Sequence, residues 1–217
     1  RSASIPGAVA AWDALVDRHC RFDFSTLLEP AINFAQNGFP VSHDLSDAAR
    51  DHHDKLKASK TGLELFYPND APIEPGALLV QYDLANTLRS ISEGGSSAFY
   101  QGEFAEAVDS WSRNNDAWIT ADDLASYECE ILEPLYVNYR DYQIVGQPPV
   151  SQGYVLLNEL NIMNGFDIRN TKFSDPNTVH TMIEAKKLAF ADRHAFLGDP
   201  RHIHFDISNL LSEEFEK

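Results

Sequence analysis

The residues best suited to chemistry in this 217-residue chain lie in its last third. His202-Ile203-His204, with Asp199 and Asp206 on either side, offers two imidazoles and two carboxylates. Alternate side chains on an extended stretch point the same way, as a shared divalent metal would require. No residue that would orient those imidazoles can be named, and a two-histidine loop in an acidic protein reads equally as plain surface. Ser151, His180 and Asp199 supply the residue types of a hydrolase triad, but nothing in their spacing fixes a geometry. Gln152-Gly153, at the start of a helix, could present backbone N–H groups to an anion. The plainer reading is a Ser151 N-cap, with glycine for close packing. The stem of Lys186 lies among Met182, Ile183, Ala189 and Phe190, so a desolvated amine could act as a base. Its alternative is to reach solvent or a carboxylate. Asp192-Arg193, near Gly198-Asp199-Pro200, reads as an ion-pair and turn element. The adjacent His52-His53 diverge on a helix and read as a solvated face. The chain has no GxSxG, HExxH, GxGxxG, Walker A or zinc-type Cys/His pattern. The residues by themselves carry no complete active site: none is assigned to catalysis or to a metal, and none firmly to substrate. Ser151, Gln152 and Gly153 are the candidates for substrate contact.

The elements that must position these groups are mostly helical. Pro6 suits a first turn, and Val9, Trp12, Leu15 and Val16 follow at helical spacing. Ser25 can cap a second helix with an apolar face of Leu27, Leu28, Ala31, Phe34 and Ala35. Pro30 should perturb that helix, and Gly38 should stop it. A third helix is expected from Ser42, another over about 81–93 ended by Gly94-Gly95, and one more over about 102–113. The period then changes. Leu135, Val137 and Tyr139 alternate, and Tyr142, Ile144 and Val145 resume after Arg140-Asp141, which predicts a β-hairpin. A helix after Ser151 should bury Leu156, Leu160 and Met163. Asp175-Pro176 should cap a helix running to Gly198 that buries Val179, Met182, Ile183, Ala189, Phe190, Phe196 and Leu197. The expected class is helix-rich α+β. Residues 1–217 read as a single segment, helical over roughly 1–115, with a hairpin and two helices over 116–217.

Composition narrows the classes further. With 33 acidic and 17 basic residues the formal charge is −16, which repels phosphate backbones and argues against nucleic acid as a partner. A hydrophobic content of 43%, with 11% aromatic residues, is ample for a core. No apolar run approaches the ~20 residues of a membrane-crossing helix. Cys20 and Cys129 lack CxxC spacing and say little about compartment. The opening Arg1-Ser2-Ala3-Ser4 has neither an initiator Met nor an apolar signal core, and the chain ends on a helix-like tail without a stop signal. The expectation is a segment of something longer, which leaves localisation open between cytoplasmic and exported.

Several segments, in order, resemble the γ-glutamyltranspeptidase family. They are Ile5-Pro6-Gly7-Ala8-Val9-Ala10, Leu28-Glu29-Pro30-Ala31-Ile32 with Gly38-Phe39-Pro40-Val41, and 79–88 (LVQYDLANTL). Ala98-Phe99-Tyr100-Gln101-Gly102, Ile119-Thr120 with 123–127 (DLASY), and Tyr139-Arg140-Asp141-Tyr142 continue the series. Pro148-Pro149 with Ser151 and Gly153, Leu160-Asn161-Ile162 with Gly165-Phe166-Asp167, and 184–193 (EAKKLAFADR) with Gly198-Asp199-Pro200 complete it. The pattern departs at Pro148-Pro149-Val150-Ser151-Gln152-Gly153-Tyr154, where the family usually carries three prolines, two serines and two glycines. It departs again at Asp141, which replaces a hairpin glycine and is tolerable in left-handed geometry, and at Lys186, where Met or Glu is usual. The Ser-Gln-Gly variant looks more like the γ-glutamyltransferase-like and cephalosporin-acylase relatives.

The resemblance implies the large-subunit portion of an N-terminal-nucleophile hydrolase, built as an αββα sandwich and needing no cofactor. In that class a precursor cleaves itself and frees a threonine, which attacks a γ-glutamyl amide such as glutathione with its own amino group as base. The acyl-enzyme then passes to water or to an amine. The threonine and oxyanion donors would lie beyond Lys217, and the carboxylate-clamping arginine before Arg1. The isolated chain is therefore expected to be inactive, to lack its small-subunit partner and to self-associate through uncovered apolar faces. Two other readings remain open: a non-catalytic helical binding module, and a metal-dependent hydrolase using His202 and His204.

Overall fold

The computed structural model describes residues 4–172, 174–203 and 205–212. The chain divides into two compact units, Arg1–Cys129 and Glu130–Lys217.

The first unit contains α1 (Ala8–His19), α2 (Phe24–Asn37), β1 (Phe39–Pro40), α3 (His43–Asp51), α4 (His53–Leu56), α5 (Lys60–Phe66), β2 (Leu78–Leu79), α6 (Tyr82–Tyr100), α7 (Glu103–Asn114) and α8 (Ala121–Ala125). Its main core joins Val9, Leu28, Ile91, Phe99, Tyr100, Ala105 and Leu124. A smaller core of Val41, Ile73 and Leu79 lies at the two-residue antiparallel β1–β2 ladder. Side chains close the helix starts locally. Ser42 accepts from the Leu45 N–H, and Thr120 and Asp123 form a reciprocal capping box. The cap of α2 is Asp23 rather than Ser25. Its carboxylate accepts from the Thr26 N–H and the Ser25 hydroxyl, both at 2.9 Å. A carboxylate also meets the positive end of the helix, and the Thr26 N–H holds Asp23 below the usual carboxylate range. Gly38 ends α2 at φ 84°, where a Cβ would lie 2.9 Å from Val80. Gly95 breaks α6 rather than ending it: at φ 65° it re-aims one further turn, which carries Phe99 and Tyr100 into the core. Trp12, Leu15, Leu27 and Phe34, expected to be buried, are exposed; Val9, Leu28 and Ala35 are the buried members of those faces.

The second unit contains the antiparallel hairpin β3 (Leu135–Tyr139) and β4 (Tyr142–Gly146), then α9 (Gly153–Asn164), α10 (Pro176–Phe196) and a 3-10 turn over Ile207–Leu211. The register pairs Tyr139 with Tyr142 and Tyr136 with Val145. The left-handed residue of the turn is Arg140, at φ 58°, and not Asp141. The reason is tertiary. The Arg140 guanidinium donates to the Met163, Asn164 and Phe166 carbonyls at the end of α9, and its N–H donates to Asn164 Oδ1. These bonds offset the cost of left-handed backbone away from glycine.

α9 packs against the hairpin and against α10, so it buries more than one stripe. Tyr154, Val155, Leu157, Asn158, Asn161 and Met163 are buried, while Leu156 is exposed. Asp175 caps α10 through the Asn177 and Thr178 N–H groups, as Asp-Pro predicts. The helix stops at Phe196 and buries Thr178, Ala185 and Ala189. Val179, Met182 and Ile183, expected inside, stay exposed because the alanine side of α10 meets α9. Phe190, Phe196 and Leu197 pack partly buried around Tyr154, Val155, Ala189 and Leu210.

Candidate functional site

The turn before α9 folds on itself. The Ser151 hydroxyl donates to Gln147 Oε1 at 2.8 Å, and the Ser151 N–H donates to the Pro148 carbonyl at 3.1 Å. The Gly153 N–H reaches Ser151 Oγ at 3.4 Å, while the N-cap position itself is Gln152. So Ser151 touches one helix N–H, but from one residue further out than the sequence implies. A Cβ on Gly153 would sit 2.5 Å from the Gln147 nitrogen, so glycine is required for this close approach.

Gln152 reaches across to α10, where its Oε1 accepts from Arg193 Nε at 2.6 Å. The Arg193 guanidinium lies 5.8 Å from the Phe190 ring centroid. Val150, Gln152, Arg193, His194, Leu197 and Gly198 line a cleft of about 210 Å³ here. Behind it, Asn158 donates from Nδ2 to the Tyr154 hydroxyl and to Asp192 Oδ2, both at 3.0 Å. Burial first, then the Asp192 charge, push the Tyr154 phenol above its ordinary range. Asp192 and Arg193 are therefore not paired with each other: consecutive helical residues diverge, and each finds a partner on α9 or its N-cap.

The structure does not assemble the triad residues. Ser151 is held by Gln147, and Asp199 is held by Arg201 through Nε at 3.0 Å and Nη2 at 2.7 Å. The Arg201 side chain keeps the Asp199 carboxyl at about 2. Of the proposed metal ligands, His204 lies outside the described residues. Asp206 caps the 3-10 turn through the Ser208 N–H and hydroxyl. Among the described residues, no group of three or more His, Cys, Asp or Glu could hold a metal. Lys186 meets Glu159 at 3.2 Å and lies 5.3 Å from the Phe190 ring centroid, so it serves as a paired cation. His53 is not simply a solvated residue: it stacks on Tyr67 with ring centroids 4.1 Å apart. Among the described residues, no helix is long and apolar enough to cross a membrane.

The Gln152–Arg193 link and the Tyr154–Asn158–Asp192 network were not visible in the sequence. Their partners stand 41 and 34 residues apart, and only the packing of α10 on α9 joins them. What the site holds is a turn locked to two helices, beside an arginine-lined cleft.

The γ-glutamyltranspeptidase family model matches residues 1–217, so the chain belongs to that family. It is 34% identical over 214 residues to the glutathione hydrolase-like YwrD proenzyme of Bacillus subtilis, covering 99% of this chain and 41% of that protein. The chain spans about two fifths of the length of the curated relatives it matches. Its fold matches the crystal structure of Helicobacter pylori γ-glutamyltranspeptidase with a TM-score of 0.94 at 30% identity, over 99% of this chain and 62% of that one. It also matches a cephalosporin acylase from Bacillus halodurans with a TM-score of 0.91 at 32% identity, over 97% of this chain and 40% of that one.

Proposed function

We propose that the chain is the large-subunit portion of a γ-glutamyl hydrolase or transferase made as a self-cleaving proenzyme, and that the attacking threonine lies outside these 217 residues. The observation that carries this reading is a family match over the full length of a chain whose candidate nucleophile, Ser151, is bonded to a glutamine instead of a base. The hairpin supports it. α9 covers one face of β3–β4, while Tyr136 and Val145, opposite each other in register, remain exposed on the other. A second sheet laid there would complete an αββα sandwich. In the assembled enzyme the chain forms walls around a nucleophile supplied by a small subunit. Ser151, Gln152 and Gly153 shape one wall, held by Gln147 and Arg193.

The test is turnover of γ-glutamyl-p-nitroanilide by the 217-residue chain alone. No p-nitroaniline above the buffer rate is expected, and steady release would contradict the reading. A second reading, acylase activity on cephalosporin side chains, draws on the comparable likeness to the Bacillus halodurans enzyme. Competition between a cephalosporin and the γ-glutamyl anilide in the whole proenzyme separates the two substrates.

A further inference from the structure

We propose that the cleft beside Gln152 and Arg193 is a binding site for a carboxylate carried on a small group. The inference does not rest on the activity proposed above.

The argument begins with what the Arg193–Gln152 bond leaves over. It uses Nε of Arg193 and Oε1 of Gln152, the amide's side-chain acceptor. Both terminal nitrogens of the guanidinium and the amide nitrogen of Gln152 remain, and all of them are donors. The two side chains that line the cleft together thus offer three donor nitrogens against one remaining lone pair on Gln152 Oε1. A ligand that satisfies them must be rich in acceptor oxygens, and a carboxylate matches the paired Nη groups in geometry and charge.

The charge pattern of the chain points the same way. Arg50, Arg113, Arg169 and Arg201 each hold a carboxylate within ion-pair distance, and Arg89 and Arg140 spend both terminal nitrogens on neutral oxygens. Arg193, only partly exposed, has no acidic partner among the described residues, in a chain of net charge −16. Its sequence neighbour Asp192 is turned to Asn158, and among the described residues no Asp or Glu lines the cleft. The guanidinium is already oriented by Gln152 on one edge and the Phe190 ring nearby, so little freedom is lost when an anion docks. Val150 and Leu197 supply apolar wall for the carbon skeleton. A volume of about 210 Å³ falls below the ~300–1,000 Å³ of pockets for drug-sized ligands, and suits a group of amino-acid size. Such a carboxylate can come from a free small acid or from an Asp or Glu side chain of a polypeptide.

Calorimetric titration of the 217-residue chain at fixed ionic strength distinguishes these sources. The probes are sodium succinate and the blocked peptide acetyl-Gly-Asp-Gly-amide, with sodium chloride as the control for nonspecific anion effects. At least one probe should bind saturably and lose at least about tenfold in affinity in Arg193→Ala. Gln152→Glu should cause a similar loss by placing a carboxylate on the guanidinium, while its melting temperature stays level or rises. That variant keeps the test independent of any unfolding in Arg193→Ala. Tighter succinate binding identifies a free acid as the occupant; tighter peptide binding identifies a polypeptide side chain. Failure of both probes to bind the wild-type chain, or binding unchanged in both variants, overturns the proposal.

Discussion

The two units solve the same problem, closing helix ends and joining elements, with polar bonds of different reach. In Arg1–Cys129, helix starts are capped from within three residues: Asp23 to Thr26, Ser42 to Leu45, Ser59 to Gly62 and Thr120 to Asp123. In Glu130–Lys217, side chains reach between elements far apart in sequence. Arg140 closes the end of α9, Asn164 returns a bond to the Asn138 carbonyl, Gln152 takes Arg193, and Asn158 takes Asp192. Local caps stabilise a helix whether or not its neighbours are present. Bonds between elements hold a particular packing in place, as the wall of an active site requires. Each unit also contains the other kind: in the first, Tyr100 donates to the Pro6 carbonyl at 2.6 Å and accepts from the Ala10 N–H, and in the second Asp175 caps α10 through the Asn177 and Thr178 N–H groups. The difference is one of emphasis, and substitutions can test it.

The largest effect is expected at Tyr154, fully buried between the helices and hydrogen-bonded to Asn158. Tyr154→Ala should cost about 3–5 kcal/mol in denaturant unfolding. A loss below about 1 kcal/mol would mean that α9 and α10 are not held as described. Next comes Arg140→Ala, which removes charged donors from the carbonyls ending α9 and should cost about 1.5–3 kcal/mol. Its loss should exceed that of Ser42→Ala, an exposed cap in the first unit, at about 1 kcal/mol. If those two came out in reverse order, the contrast between the units would fail.

An acid titration sharpens the comparison. The folded pKa of Asp199 is depressed from 3.8 to about 2, chiefly by the Arg201 side chain. The stability linked to it is therefore present above 3.8 and fades as pH falls towards 2. Over that window the melting temperature of Asp199→Asn should fall less than that of the wild type. The smallest effect on stability is expected on the open face of the hairpin. Tyr136→Ser combined with Val145→Thr should change stability by no more than about 0.5 kcal/mol. The same pair should reduce self-association in analytical ultracentrifugation, because it removes exposed apolar surface.

This division by reach also explains what could be read without a structure. Ser42 and Asp175 announce their helices because a cap and its N–H lie within one turn. The hairpin follows from alternation between Leu135 and Val145, and its turn falls where Arg140-Asp141 interrupts it. Local sequence misleads where two nearby options compete or where a distant group decides. Asp23 displaced Ser25 because both could cap the same turn. Arg140 took the left-handed position that the sequence favours for Asp141, because α9 supplies carbonyls to its side chain. On α10 both the alanine side and the Val179–Met182–Ile183 side are apolar, so periodicity alone cannot say which meets α9. At the site, Ser151, Gln152 and Gly153 were visible as a helix start, but Arg193 joined them only through tertiary packing.

The central claim is that the acyl-accepting nucleophile is not among these 217 residues. Intact-mass measurement of the chain after incubation with γ-glutamyl-p-nitroanilide tests it most directly. The account predicts the unmodified mass at every time point. An increment of one γ-glutamyl group, lost again on adding an amine acceptor, would contradict it.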